Sequence, residues 1–428
     1  MMRLAVIGLI CSLALSEAVK LDMGFVKKTP PGQAKIREAK NPKNAIEGEY
    51  IVAMKKGKDK AQVKSHKQVV KNTLGVSDID VDSPVYNLPG RSYYKLKVLN
   101  KGRIKSILRS LADYGDDIDY IEPNLKVQAA GTEINRNEFD WFLDRIDQRD
   151  GKLDSTFRTE EFRSPVDVFV LDTGINRDHR GFQNRVKWAH NCVDGNVNTW
   201  HVPDTHGHGS IVAGLIASVS KGSILNAVKI LDENGSGDIY TLLCGLDYIA
   251  SRLTGEGADS THGSKSVINL SVTTNEYSIA ISDEMQKFVE KFKAIPVAAA
   301  GNNNVSACDI YPAGSNYSIS VGCSGRNDDF CENTNYGPCV DILAPGSSIR
   351  GFKSTQNSGY YSGYTGTSFS TALTSGVIAE YLSKQVDLPG FEDVRQWLID
   401  MSTKNQISFQ ASPWASDTPN RLLYHPSC

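Results

Sequence analysis

Four short segments between residues 172 and 368 carry residue types that together could cleave an acyl bond. Asp172-Thr173-Gly174 follows an apolar run, and His208 opens the block Gly209-Ser210-Ile211-Val212-Ala213-Gly214. Asn302 closes Ala299-Ala300-Gly301-Asn302, and Ser368 closes Gly366-Thr367-Ser368. A serine hydroxyl attacks a carbonyl at neutral pH only when a neighbouring base takes its proton. In this reading Ser368 is the nucleophile and His208 the base, while Asp172 holds the imidazole tautomer and stabilises the imidazolium. The Asn302 side-chain amide and the Ser368 backbone N–H would receive the oxyanion. Each segment has an ordinary reading when taken singly: a turn after a strand, a surface imidazole, a strand-end asparagine, a common tripeptide. His206 is a second imidazole in the same block. The conjunction of all four carries the reading.

Such side chains converge only if the intervening chain builds a rigid frame. From residue 165 onward strands and helices alternate. Strands are expected at Val166–Leu171, Ile224–Ile230, Ser266–Ser271, Ile295–Ala299 and Ile319–Gly322. Helices are expected at His208–Val219, Ile239–Leu253, Ile279–Lys293 and Thr367–Gln385. Unbroken apolar strands such as Val166-Asp167-Val168-Phe169-Val170-Leu171 fit a doubly wound, mostly parallel sheet buried on both faces. Ligands bind beyond the carboxyl ends of such strands, where Asp172 and Asn302 fall. Upstream, residues 47–128 read as two strand–helix–strand units, a small α+β domain of ferredoxin-like type. Residues 19–46 are polar and rich in Lys and Pro and read as a flexible leader.

The bulk properties narrow the classes. A chain of 428 residues, 40% hydrophobic and 22% charged, suggests two globular domains. A net charge of −2 gives no reason to expect nucleic acid. Arg3, the apolar stretch Leu4–Leu15 and Ser16-Glu17-Ala18 form a secretory signal over residues 1–18, too short to span a membrane. The remaining chain is therefore expected to be secreted, with no membrane span and monomer as the default. Cys192, Cys244, Cys308, Cys323, Cys331, Cys339 and Cys428 remain after the signal; none has CxxC spacing, and in an oxidising compartment most should pair. Sequons stand at Asn234, Asn304 and Asn316; Asn269 also fits the pattern but falls in a strand expected to be buried.

The chain order Asp, His, Asn, Ser and the motifs quoted above resemble the subtilases, close to their proteinase K group, over roughly residues 47–420. The resemblance sets the register on His208 rather than His206. It implies a serine endopeptidase, acting on polypeptides through an acyl-enzyme without a catalytic cofactor. Residues 47–128 would be its own inhibitory propeptide, cut near Gln128 to release a peptidase domain from 129 to 428. It also implies that Gly235, Ser236 and Gly237 on one side, and Ser271, Val272 and Thr273 on the other, flank an extended substrate. Ala299, Ala300 and Gly301 would line the P1 pocket. Asp341 matches an aspartate ligand of a structural calcium site, with backbone carbonyls near Asn316 and Ser318. Cys308–Cys339 matches a family bridge; Cys323–Cys331 and Cys192–Cys244 follow as further pairs, leaving Cys428 over. Three positions depart from the family: Ile211 replaces a second histidine, Thr273-Thr274 a Gly-Gly, and Ala372-Leu373 a Pro-His. The threonines should narrow the P1 site toward small or medium side chains. The other reading of the same residues is a subtilase that cuts itself once, retains its propeptide and acts as a secreted binding protein.

Overall fold

The computed structural model describes residues 31–130, 132–133, 140–159, 162–193, 202–255 and 265–426. The expected signal segment, residues 19–30 of the leader and Cys428 lie outside these residues.

The N-terminal unit alternates strand and helix as its residue pattern predicts. Ala45–Met54, Ser92–Val98 and Ile118–Ala129 are its long strands, and Lys60–Leu74 and Ile104–Ala112 its helices. Asp59 starts the first helix by accepting from the Gln62 N–H at 2.8 Å while Gln62 returns a bond to the Asp59 N–H. In the sheet Ala45–Met54 lies antiparallel between Ile118–Ala129 and Ser92–Val98, with Ile79–Asp80 at one edge. Val52, Met54, Val63, Val70, Leu96, Ile107, Leu111 and Ile121 close the core between sheet and helices.

Residues 31–46, read from the sequence as part of a flexible leader, form structure instead. Lys35–Ile36 adds a parallel strand beside Tyr120 and Ile121. Arg37, buried, pairs with Glu122 at 3.4 Å, stacks over the Tyr277 ring and donates to the Tyr277 carbonyl. The Lys40 and Asn41 N–H groups and the Asn44 side chain all donate to Glu276 at 2.5–3.0 Å. Polar composition misled the reading because these residues find their partners far along the chain, on Ile118–Ala129 and on the second unit, not within the leader. The same face carries a further set of bonds. Glu122 accepts from the Ser278 hydroxyl and the Ile279 and Ala280 N–H groups, all at 3.0 Å, and so caps the helix Ile279–Phe292 from outside. Tyr93 donates to Glu284 at 2.9 Å, and Arg91 pairs with Asp119 and Asp283.

The second unit holds a nine-stranded sheet. Its order is Thr403–Lys404, Arg421–Leu422, Ile342–Pro345, Ile319–Ser324, Ile295–Ala299, Lys265–Leu270, Val166–Asp172, Ile224–Lys229 and Val186–Asn191. Every neighbouring pair is parallel except the first. The helices His208–Val219 and Thr367–Lys384 pack in one apolar cluster, and Ile239–Thr254 and Ile279–Phe292 in another. Apolar side chains along Val166–Asp172 divide between them: Val168 and Val170 go to the first, Phe169 and Leu171 to the second. A strand buried on both faces needs this continuous apolarity. Cys192–Cys244, Cys308–Cys339 and Cys323–Cys331 are disulfides. Among the described residues no helix is long and apolar enough to cross a membrane.

Candidate active site

Asp172 ends the strand Val166–Asp172 and His208 begins the helix His208–Val219. Both side chains are buried. The His208 Nδ1–H donates to Asp172, at 2.8 Å to Oδ1 and 3.0 Å to Oδ2; an ionised carboxylate only accepts, which assigns the proton to Nδ1. Nε2 is then the acceptor nitrogen, and it is buried with no hydrogen-bond partner. Two glycines permit this approach. Gly207 turns the chain at φ +101°, in the left-handed region, and a Cβ on Gly209 would stand 2.1 Å from the Gly174 carbonyl oxygen.

A second acidic residue, not singled out from the sequence, holds this pair in place. Asp204 accepts from the Gly207 N–H at 2.7 Å, the Ser210 N–H at 2.8 Å and the Thr173 hydroxyl at 2.8 Å. The Thr173 hydroxyl in turn accepts from the Gly209 N–H at 2.9 Å. The carboxylate thereby satisfies N–H groups at the helix start that have no intrahelical partner. Its signal was Asp204 standing just ahead of a helix start, an ordinary N-terminal preference that the adjacent histidines overshadowed. Burial opposes charge on the His208 ring; the Asp172 carboxylate favours it by charge and hydrogen bond, Asp204 adds to that, and the net pKa lies above the ordinary histidine value. Burial and the neighbouring His208 hold His206 below it. Lys229, paired in register with Asp172, donates to the Thr173 and Leu231 carbonyls at 2.6 and 2.9 Å. It ties together the two strand ends beside the pair.

Ser368 lies in the first turn of the helix Thr367–Lys384, where the helix dipole favours negative charge. Its backbone N–H donates to the Ala130 carbonyl at 3.1 Å. Its hydroxyl donates to the Ser271 carbonyl at 3.0 Å and not to His208. The Phe369 ring lies 5.6 Å from the His208 ring, centroid to centroid, which brings the helix start and the imidazole together. Asn302 Oδ1 accepts from the Thr367 N–H at 3.0 Å, an assignment fixed by the backbone donor that leaves the NH2 group as the donor end. Thr367 Oγ1 accepts from the Gly301 N–H at 3.1 Å. Asn335, fully buried and also missed from the sequence, donates to the Ala300 carbonyl at 2.7 Å and accepts from the Asn303 and Val305 N–H groups. The tripeptide Asn333-Thr334-Asn335 matches no motif and gave no signal.

The expected flanking segments hold the chain's own residues 126–130. Ser236, Gly237 and Asp238 pair antiparallel with Gln128, Val127 and Lys126; Val272 and Thr273 pair with Ala129 and Gln128. The Ala129 N–H donates to the Gly235 carbonyl at 3.0 Å, and the Ala130 N–H to the Ser271 carbonyl at 3.2 Å. Val127 and Ala130 are both buried. Ala299 and Ala300 are fully buried at the end of their strand. A Cβ on Gly301, whose φ is +102°, would lie 2.3 Å from Asn335 Nδ2. Of the departures from the family, Ile211, Ala372 and Leu373 are core residues. The Thr274 hydroxyl donates to the Glu276 carbonyl at 2.6 Å.

The sequons divide. Asn234 and Asn316 are exposed, Asn304 accepts from the Trp414 ring N–H at 2.6 Å, and Asn269 is buried. His190, Cys192 and Cys244 are the metal-ligating cluster found among the described residues, but both sulfurs belong to a disulfide. Asp341, expected to ligate calcium, does not present a free carboxylate. Arg395 Nε and Nη2 reach Oδ1 at 2.8 and 2.6 Å, and the Ser320 N–H reaches Oδ2 at 2.9 Å. These donors do not fit a metal ion beside that carboxylate.

A doubly wound sheet with a His–Asp pair and a serine on a helix N-terminus defines a class, the subtilisin-like α/β folds. Residues 164–413 match the model of the subtilase family, and the chain belongs to that family. It is 32% identical to subtilisin-like protease 1 of Pseudogymnoascus destructans over 380 residues, covering 87% of this chain and 89% of the relative. It is also 32% identical to alkaline serine exoprotease A of Vibrio alginolyticus over 274 residues, covering 62% of this chain and 48% of that protein. The chain thus spans about half the length of the Vibrio relative. The crystal structure of a cold-adapted subtilisin-like serine proteinase superposes with a TM-score of 0.59 at 29% identity, covering 67% of this chain and 98% of the other.

Proposed function

We propose that the protein is a secreted, self-processing serine endopeptidase whose first act is to hydrolyse its own Ala130–Gly131 peptide bond. The observation that carries this reading is the Ala130 carbonyl seated on the Ser368 N–H while residues 126–130 run between the two flanking segments. The cut then falls two residues beyond the position near Gln128 expected from the sequence, and leaves alanine as the P1 residue.

The chemistry follows from the groups in place. Rotation about χ1 takes the Ser368 hydroxyl from the Ser271 carbonyl toward Nε2 of His208, the buried acceptor still without a partner. Ser368 Oγ bonds to the Ala130 carbonyl carbon as its proton passes to Nε2. Asp172 stabilises the imidazolium from the other side of the ring. The oxygen of the tetrahedral intermediate bears the negative charge. It is held by the Ser368 N–H and the Asn302 NH2, each such donor contributing about 3 kcal/mol in related sites. Collapse breaks the bond to the Gly131 nitrogen, which takes the proton from Nε2. Water then hydrolyses the acyl-enzyme with His208 again as base, restoring the Ser368 hydroxyl and leaving an Ala130 carboxylate. Other polypeptides would enter the same strand register once residues 31–130 leave, bound through backbone and so with little sequence demand outside the P1 pocket. Until then residues 31–130 act as an inhibitor.

Labelling with a fluorophosphonate tests this reading. Ser368 in the processed protein should take the label, and Ser368→Ala and His208→Ala should not. Processed protein that neither labels nor turns over peptides would refute the endopeptidase reading.

A further inference from the structure

We propose that Arg395 supplies, as a built-in guanidinium, the positive charge at Asp341 that the family resemblance assigns to a calcium ion, so that this corner of the sheet is held without metal. Asp341 precedes the strand Ile342–Pro345 and is only 4% exposed. A buried carboxylate needs a counter-charge, because leaving one unpaired in the interior costs far more than the pair contributes. Here the charge comes from the helix Phe391–Met401, which brings Arg395 Nε and Nη2 to 2.8 and 2.6 Å from Oδ1. The other oxygen is taken by the Ser320 N–H at 2.9 Å, and the Asp341 N–H returns to the Ser320 carbonyl at 2.9 Å. A second guanidinium lies close, with Arg421 Nη1 donating to the Asp341 backbone carbonyl at 3.3 Å. Glu392, mostly exposed, is a further acidic group near Arg395, at 3.7 Å from Nη1.

Two cationic side chains around one carboxylate exclude a divalent cation on charge grounds. Calcium takes six to eight oxygens at about 2.3–2.6 Å, and this carboxylate has given both of its oxygens to nitrogen donors. A guanidinium does the electrostatic work of the ion without its dependence on concentration. It also joins the helix Phe391–Met401 to the starts of two interior strands, where Ser320 and Asp341 meet. Burial pushes the Asp341 carboxyl above its ordinary value, with Arg395 and the Ser320 N–H opposing that shift. The proposal is independent of the catalytic reading, since none of these residues belongs to the site.

The test is thermal unfolding of the full chain, with and without calcium, read by circular dichroism. The wild type should melt at the same temperature in chelator and in roughly millimolar calcium, or show a calcium response that Asp341→Asn leaves unchanged. Arg395→Gln should melt several degrees lower in chelator and recover in calcium, because the freed carboxylate now accepts the ion. Arg395→Gln/Asp341→Asn should not recover. Arg395→Lys keeps the charge, so it provides a folded comparison if Arg395→Gln expresses poorly, and it should remain indifferent to calcium. A wild-type response to calcium that Asp341→Asn abolishes would overturn the proposal, because an ion would then sit at Asp341 despite Arg395. Failure of calcium to restore Arg395→Gln would overturn it equally, since the guanidinium would not be standing in for a cation that calcium can replace.

Discussion

Raising the pH should loosen the hold of residues 31–130 on the rest of the protein. Glu284 is fully buried beneath this segment, where it accepts from the Tyr93 hydroxyl at 2.9 Å and the Gly90 N–H at 3.3 Å. Burial pushes its pKa up to about 7, offset only in part by those two hydrogen bonds. The groups facing it from both units are Asp283, Arg91, Tyr93 and Lys287, with Asp119 and Tyr120 behind Arg91. Once the segment leaves, Glu284 loses the cover of Gly90 and Tyr93, so its pKa should fall back toward the ordinary 4.5. The docked state therefore binds a proton more tightly than the separated state. That contribution is complete below about pH 4.5 and disappears as the pH rises through about 7. A full return from about 7 to 4.5 would correspond to roughly a 300-fold rise in dissociation constant. Burial also raises Glu122 and Asp283 on the same face, which adds in the same direction. The assay uses processed protein with the two parts still associated, and follows their separation by size exclusion across this pH range. Release should quicken with pH, and Glu284→Gln should flatten much of the dependence. A dissociation constant that is constant or falls as the pH rises would refute the reasoning.

Three further outcomes follow from individual contacts. Glu122→Ala leaves Ser278, Ile279, Ala280 and Arg37 without their acceptor, so docking should weaken by about 3 kcal/mol, roughly 150-fold, read as earlier release of residues 31–130. Asp204→Asn removes a charge that raises the His208 pKa while keeping a similar shape, so the acidic limb of kcat/KM should move to lower pH; an unmoved limb would contradict the role given to Asp204. If Ala130 is the chain's own P1 residue as proposed, then with Thr273 beside residues 128–129 a peptide panel should be cut faster after small or medium residues than after phenylalanine.

What the sequence disclosed depended on whether a feature was local. The strands Val166–Asp172 and Ile295–Ala299 and the helix His208–Val219 were legible because apolar continuity and helical spacing are written within each segment. Asp172, His208, Asn302 and Ser368 stood out as candidates because each sits in a short motif at an element's end. Asp204 and Asn335 did not, since their work lies in backbone groups several residues away or across a loop. The leader failed for a related reason. Arg37, Lys40, Asn41 and Asn44 form no apolar pattern, and their partners Glu122, Glu276 and Tyr277 lie far along the chain. Asp341 read as a metal ligand because its counter-charge, Arg395, comes from a helix that the residue pattern did not single out.

The measurement that bears most directly on the catalytic account is the mass of the fragments made by purified wild-type protein beside Ser368→Ala. Wild type should yield a fragment ending at Ala130 and another beginning at Gly131, and Ser368→Ala should keep that bond intact. Cleavage of the Ala130–Gly131 bond in Ser368→Ala at the wild-type rate, under conditions free of other proteases, would contradict the account.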